Sequence, residues 1–186
     1  MCETFLKNYK ESNTADEIVE LDLFKSELPY YGHSAIIGLS KRNKGKEFTR
    51  EEKKVVDLVD DYLTEFFSAD KIVFAFPLWN FSILGPLVTY ISYLAQAGET
   101  FKYTKDGVIG LAGNKKVILL NARGGDYSGG ENASEMAVNL VKENIALWGI
   151  TVPEEVIIEG HDQYQDCTKE IIIKGLERTA EAAINF

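Results

Sequence analysis

Cysteine, histidine and proline are scarce in this 186-residue chain, which holds two, two and four of them. Cys2 and Cys167 lie far apart with no C-x-x-C or metal-ligand spacing, and neither His33 nor His161 has a partner at a recognisable interval. A metal site is therefore not expected, and a reducing, cytoplasmic setting is the default. Basic residues are in the minority, 20 against 29 acidic for a net charge of −9, and they are scattered along the chain. That excludes the basic face on which nucleic-acid binding depends. No apolar run approaches the roughly 20 residues that span a bilayer, and no charged segment followed by a hydrophobic one opens the sequence, so no membrane partner is expected. Internal repeats and low-complexity segments are also absent. What remains, 186 residues that are 45% hydrophobic, suits one domain over 1–186 with a sizeable core.

The pattern is an alternation of helix and strand that begins with a helix. Residues 2–11 put Cys2, Phe5, Leu6 and Tyr9 on one helical face. Glu17 to Leu23 predicts a strand, and residues 24–48, with Pro29, Gly32 and Gly38, an irregular stretch. Thr49-Arg50-Glu51-Glu52 has the form of a capping box, opening a helix with Val55, Leu58, Val59, Tyr62, Leu63 and Phe66 inward. Lys71 to Phe76 is a short apolar run suited to a strand covered on both faces. A helix from about Pro86 to Ala97, a loop with Gly107, Gly110 and Gly113, and a strand from Lys116 to Leu120 follow. Residues 131–148 predict a helix, Val156 to Ile158 the last strand and residues 166–184 the last helix. The sum is an open parallel α/β sheet flanked by helices.

In such sheets ligands bind beyond the carboxyl ends of the strands. Two sequences occupy that position. Pro77-Leu78-Trp79-Asn80-Phe81 breaks a buried strand at a proline and presents flat apolar faces beside a carboxamide that both donates and accepts. It is either a seat for a planar heteroaromatic group or a strand end whose aromatics pack a neighbouring helix. Asn121-Ala122-Arg123-Gly124-Gly125 follows the next strand, and its paired glycines let backbone N–H groups approach a ligand edge, or else form an ordinary turn. Both loops leave the same end of adjacent strands.

These two motifs, with Ala97-Gly98-Glu99-Thr100-Phe101-Lys102-Tyr103-Thr104 and Gly107 to Leu111, resemble the FMN-dependent NAD(P)H azoreductases and quinone reductases of the flavodoxin-like fold, in order and over nearly the whole chain. The resemblance implies a homodimer that uses FMN, with NADH or NADPH as donor and a quinone or azo compound as acceptor, by ping-pong exchange. Pro77, Leu78, Trp79, Asn80 and Phe81 would meet the isoalloxazine ring, and Ala122, Gly124 and Gly125 its pyrimidine edge, with Arg123 a contributor to the charge there. Phe101 and Tyr103 would either cover the substrate or anchor their loop. His161, in Glu159-Gly160-His161-Asp162, would either donate a proton to substrate or stand as a solvated loop residue. No residue is required as a nucleophile. Trp79 stands where relatives more often carry tyrosine, and Leu78 where methionine is common.

Relatives also carry a hydrophobic first strand and a serine-containing phosphate loop ahead of the first helix. Here residues 2–10 match the middle of that helix, so the chain is expected to be truncated at its N-terminus relative to the family, without the central strand of a 2-1-3-4-5 sheet. Three arrangements would meet that gap: direct pairing of Glu17–Leu23 with Lys71–Phe76, a strand donated by another chain, or a start some 20 residues upstream. FMN would lose the donors that normally hold its phosphate. The competing expectations are a non-catalytic flavodoxin-like binding or dimerisation subunit, and a small-molecule binding domain without flavin.

Overall fold

The computed structural model describes residues 1–129, 135–151 and 153–186. Three parallel strands, β1 (Lys71–Pro77), β4 (Lys116–Arg123) and β5 (Glu154–Glu159), form a sheet in the order β1-β4-β5. Ile72 lies opposite Val117, Pro77 opposite Ala122, and Arg123 opposite Glu159. Around it run α1 (Cys2–Ser12), α2 (His33–Arg42), α3 (Arg50–Ser68), α4 (Gly85–Leu94), α5 (Ala137–Leu147) and α6 (Thr168–Asn185), the last entered through a 3-10 turn at Gln165–Cys167. A hairpin of β2 (Phe101–Thr104) and β3 (Gly107–Gly110) stands apart from the sheet.

Strand β4 explains the layering. Its alternation sends Val117 and Leu119 into a core built with α2 to α5, and Ile118 and Leu120 into a second core with Phe5, Tyr9, Ala183 and Phe186 of α1 and α6. A strand paired on both sides and covered on both faces reads as a continuous apolar run. The Thr49 capping box is present in full: the Thr49 hydroxyl accepts from Glu52 N–H, and the Glu52 carboxylate accepts from Thr49 N–H at 2.7 Å and from Lys41 Nζ at 2.6 Å. Tyr93 of α4 lies wholly inside, its hydroxyl bonded to the Pro29 carbonyl and its ionisation pushed up to about 12 by burial. It pins the 24–32 stretch to the core.

Four sequence expectations need correction. Glu17–Leu23 is not a strand: Leu21 and Leu23 lean on one core and Ile18 on the other, as strand residues would, but no backbone among the described residues pairs with it. Direct pairing with Lys71–Phe76 does not form. For the same reason β1 is an edge strand, and it is covered on one face rather than both, with Val73 and Ala75 exposed. The stretch 24–48 contains α2, because Gly38 is not a breaker but a contact point: a Cβ there would lie 2.8 Å from Val56 Cγ2 and 3.2 Å from Glu52 O. The expected loop with Gly107, Gly110 and Gly113 contains the β2–β3 hairpin, turned at Lys105-Asp106 with Thr104 Oγ1 donating to Gly107 O at 2.8 Å. Smaller differences concern ends: β4 runs on to Arg123, α4 stops at Leu94, and the helix expected from 131 begins at Ala137, residues 130–134 lying outside the described set.

The open edge of β1 has a measurable consequence. Every second β1 amide points away from β4 and should exchange with solvent hydrogen at least roughly a hundredfold faster than the amides of β4, since local protection ranges from near zero to the full stability. Equal protection in the two strands by NMR-detected exchange would mean that this edge is paired.

Candidate functional site

At the carboxyl end of β1 the chain turns back within two residues. Leu78 N–H donates to Ala122 O at 2.9 Å, extending the strand register one step past Pro77. Trp79 and Ser82 then exchange N–H···O bonds of 2.9 and 3.1 Å, leaving Asn80 and Phe81 as the turn, at φ 49° and 64°. Two successive positive φ values suit asparagine and disfavour phenylalanine, whose Cβ then crowds the carbonyl at about 1–2 kcal/mol. The surroundings hold the strained residue, for Phe81 O accepts from Met136 N–H at 3.0 Å just ahead of α5. Strain of this kind persists where neighbours over-determine it, and it is concentrated at ligand clamps. Its effect is display: Trp79 is 62% exposed, with Asn80 and Phe81 exposed beside it.

Next to it, Gly124 and Gly125 leave the end of β4. Their carbonyls are pinned on one side, Gly124 O by Asp162 N–H (3.0 Å) and Gln163 N–H (3.2 Å), and Gly125 O by Gly160 N–H (3.1 Å). Their own N–H groups find no acceptor among the described residues. Beneath the turn, Arg123 is only 7% exposed, its Nε 3.0 Å and a terminal nitrogen 2.8 Å from Glu159 Oε2, with Glu135 Oε2 3.6 Å from the other. Its guanidinium also lies over the Tyr127 ring, 5.3 Å from the centroid. Beyond the glycines, the Ser128 hydroxyl and amide and the Tyr164 hydroxyl hold the Asp126 carboxyl below its usual range.

Most of the expected residues therefore lie together at one end of the sheet. Pro77, Leu78, Trp79, Asn80, Phe81, Ala122, Gly124 and Gly125 gather at the ends of β1 and β4. His161 joins them, because the 160–163 loop is bonded to both glycines; its Nδ1 is buried with no partner among the described residues. The Arg123 side chain is close but occupied by two carboxylates, so its charge is already compensated. Phe101 and Tyr103 are not brought there. Phe101 belongs to the core and Tyr103, 74% exposed, projects from the hairpin, whose end packs on Gly149 at the close of α5, while the residues opening α5 touch Phe81. The hairpin is thus seated at the end of α5 that Phe81 does not touch.

Sequence reasoning missed Glu159, Glu135, Tyr127 and Asp162, which build the support under the twin glycines. It also missed Asn121, placed just after the strand and found within it and fully buried, with Nδ2 on Phe76 O at 3.0 Å and Oδ1 unpartnered. The one available signal was Asn121 following an apolar run without a break. Chemically, this end of the sheet offers an indole, a phenyl ring, a carboxamide and two free amides, a set that fits a flat heteroaromatic ring with a hydrogen-bonding edge.

Comparison with known proteins places the chain by family. A family model described as the flavodoxin-like fold matches residues 1–182. An FMN-dependent NADH:quinone oxidoreductase 2 of Bacillus cereus is 57% identical over 187 residues, covering all of this chain and 90% of that protein. One from Shouchella clausii is 54% identical over the same length and shares. Among solved structures, an azoreductase from Bacillus anthracis superposes with a TM-score of 0.95 at 52% identity, covering 99% of this chain and 89% of the other. An FMN-dependent NADH-azoreductase of Bacillus anthracis in complex with FMN gives 0.89 at 28%, covering 98% and 87%.

Proposed function

Because the chain belongs to the flavodoxin-like fold family, among its FMN-dependent NADH:quinone oxidoreductases and azoreductases, we propose that it carries electrons from NADH by way of FMN to quinones or azo compounds. The observation that carries this reading is the pair of unpartnered amides at Gly124 and Gly125 beside the strained Trp79-Asn80-Phe81 turn. Leu78, Trp79 and Phe81 would wall the isoalloxazine ring, Asn80 would bond its polar rim, and Ala122, Gly124 and Gly125 would line the pyrimidine edge. Bound there, FMN supplies the chemistry of accepting a hydride from a nicotinamide and delivering two electrons to an acceptor. The amides of Gly124 and Gly125 stabilise negative charge at that edge, and being fixed in advance they need no reorganisation when it appears. Arg123, neutralised by its carboxylates, contributes through its backbone position. Donor and acceptor visit the same open face in turn, which makes the kinetics ping-pong.

We place a second copy of the chain as partner. A groove of about 500 Å³ lined by Leu23, Phe24, Leu28, Tyr30, Pro86 and Val88 leaves Tyr30 85% exposed, an apolar surface suited to burial against another protomer. Phe101 anchors its loop in the core, and Tyr103 would cover a substrate only across such a dimer. His161, on the loop that grips the glycines, is the residue placed to hold a proton near the substrate. Both cysteines are free and exposed, which suits a reducing cytoplasm, and no described helix is long and apolar enough to cross a membrane.

The test is direct. The purified chain titrated with FMN should turn yellow and then oxidise NADH in the presence of menadione or an azo dye, with parallel double-reciprocal lines. A chain that stays colourless at saturating FMN and leaves NADH untouched overturns the assignment in favour of a binding subunit.

A further inference from the structure

We infer that Glu159 is a positioning residue for the cofactor edge, holding the Gly124 and Gly125 amides in place through Arg123 and Tyr127 without touching the ligand. Resting on the flavin reading above, this assigns a role to a side chain that neither the sequence motifs nor the chemistry of the ring would single out.

Three contacts converge on one atom. Glu159 Oε2 receives Arg123 Nε at 3.0 Å, the Arg123 terminal nitrogen at 2.8 Å and Tyr127 N–H at 3.0 Å. Arg123 immediately precedes the glycine pair and Tyr127 lies two residues after it, so a single oxygen grips the turn from both sides. Glu135 completes the clasp from a third element, with Oε2 3.6 Å from Arg123 and Oε1 accepting from Val138 N–H at 2.8 Å in the first turn of α5. Glu159 is the last residue of β5, and the next segment, 160–163, supplies the N–H groups that occupy the glycine carbonyls. With both flanks and both carbonyls fixed, the amides are left as the free groups of the turn. Two carboxylates around one guanidinium also exceed the charge balance that Arg123 requires. That surplus is unfavourable for an edge where negative charge develops, which argues that Glu159 is there for its geometry.

The distinction between geometry and charge makes the role testable. Glu159→Gln keeps an oxygen at the position of Oε2 and removes the charge; Glu159→Asp keeps the charge and draws the oxygens back by about 1.5 Å, one carbon–carbon bond. If Glu159 positions the turn, Glu159→Asp raises the dissociation constant for FMN about tenfold, measured by fluorescence quenching on the cofactor-free protein, and lowers the midpoint potential of the bound flavin. Glu159→Gln stays within about threefold in affinity. Hydrogen exchange of residues 123–128 in the cofactor-free chain should quicken in Glu159→Asp and not in Glu159→Gln, a readout that needs no flavin. The opposite order, Gln weak and Asp intact, would show a charge role and overturn the inference, as would unchanged exchange or unchanged affinity in both variants. Loosened exchange without loss of affinity would show a merely structural clasp and also overturn it. A wild-type chain that refuses FMN removes the flavin reading, and this inference with it; a wild-type chain that binds FMN alongside indifferent variants removes the inference alone.

Discussion

Gly110→Ala is expected to cost about 3 to 4 kcal/mol of folding stability, because the added Cβ would make the shortest contacts of any described glycine. A Cβ at Gly110 would fall 2.1 Å from Gly149 N, 2.3 Å from Trp148 C and 2.4 Å from Gly149 Cα. All three are main-chain atoms, so no side chain can rotate away. Gly149 closes α5 at φ 94°, and Ala112 N–H donates to Trp148 O at 2.8 Å, so strand and helix end are fixed to each other. Relief requires lifting the hairpin, which breaks that bond and uncovers Phe101 and Ala112, both buried. Urea unfolding of the variant beside Gly85→Ala, where a Cβ meets nothing within 4 Å, measures the difference. A loss below about 1 kcal/mol for Gly110→Ala would mean that the hairpin is not seated on α5 as described.

The same contact explains why the hairpin was hard to see in the sequence. Gly107, Gly110 and Gly113 look like loop residues because glycine usually marks freedom, and here two of the three mark proximity: Gly110 and Gly113 both abut Gly149. Gly38 misleads in the same way, packing α2 on α3. Local chemistry was legible where the cause is local. The Thr49 box needs only residues 49 to 52, and the β4 run needs only its own alternation. Glu17–Leu23 shows the limit. Its side chains divide between the two cores as a strand's do, and that periodicity is real, but a ladder depends on a neighbour that no window of sequence contains.

The site divides along the same line. The wall of the site was readable because it is continuous: Pro77 to Phe81 carry proline, aromatics and carboxamide in one run. Its support was not, because Arg123, Glu135, Tyr127 and Glu159 meet from three elements and only the fold makes them a group. The seating of the β2–β3 hairpin at the close of α5 is likewise topological. Both strands precede β4, and α4 carries the chain on from the Trp79 turn before the hairpin begins.

Gly124→Ala should weaken FMN binding roughly a hundredfold while leaving the chain folded. Two hydrogen bonds to a charged edge are at stake, about 1.5 kcal/mol each. The new Cβ would stand 2.2 Å from Asp162 Oδ2, 2.9 Å from Cγ and 3.1 Å from Cβ. The Asp162 carboxylate, mostly exposed, can swing clear of the first two. Its Cβ cannot, because Asp162 N–H is bonded to Gly124 O at 3.0 Å and ties the two backbones together, so the turn itself must shift by a few tenths of an ångström. A double variant tests this: Asp162→Gly removes the Cβ along with the carboxylate, so Gly124→Ala with Asp162→Gly should bind FMN about tenfold better than Gly124→Ala alone, whereas Asp162→Ala, which keeps the 3.1 Å contact, should recover little. Such recovery is possible only if the loss came from crowding that misaims the amides. Wild-type affinity in Gly124→Ala, read by fluorescence titration, would place the flavin edge elsewhere and leave the unpartnered N–H groups of this turn without a ligand.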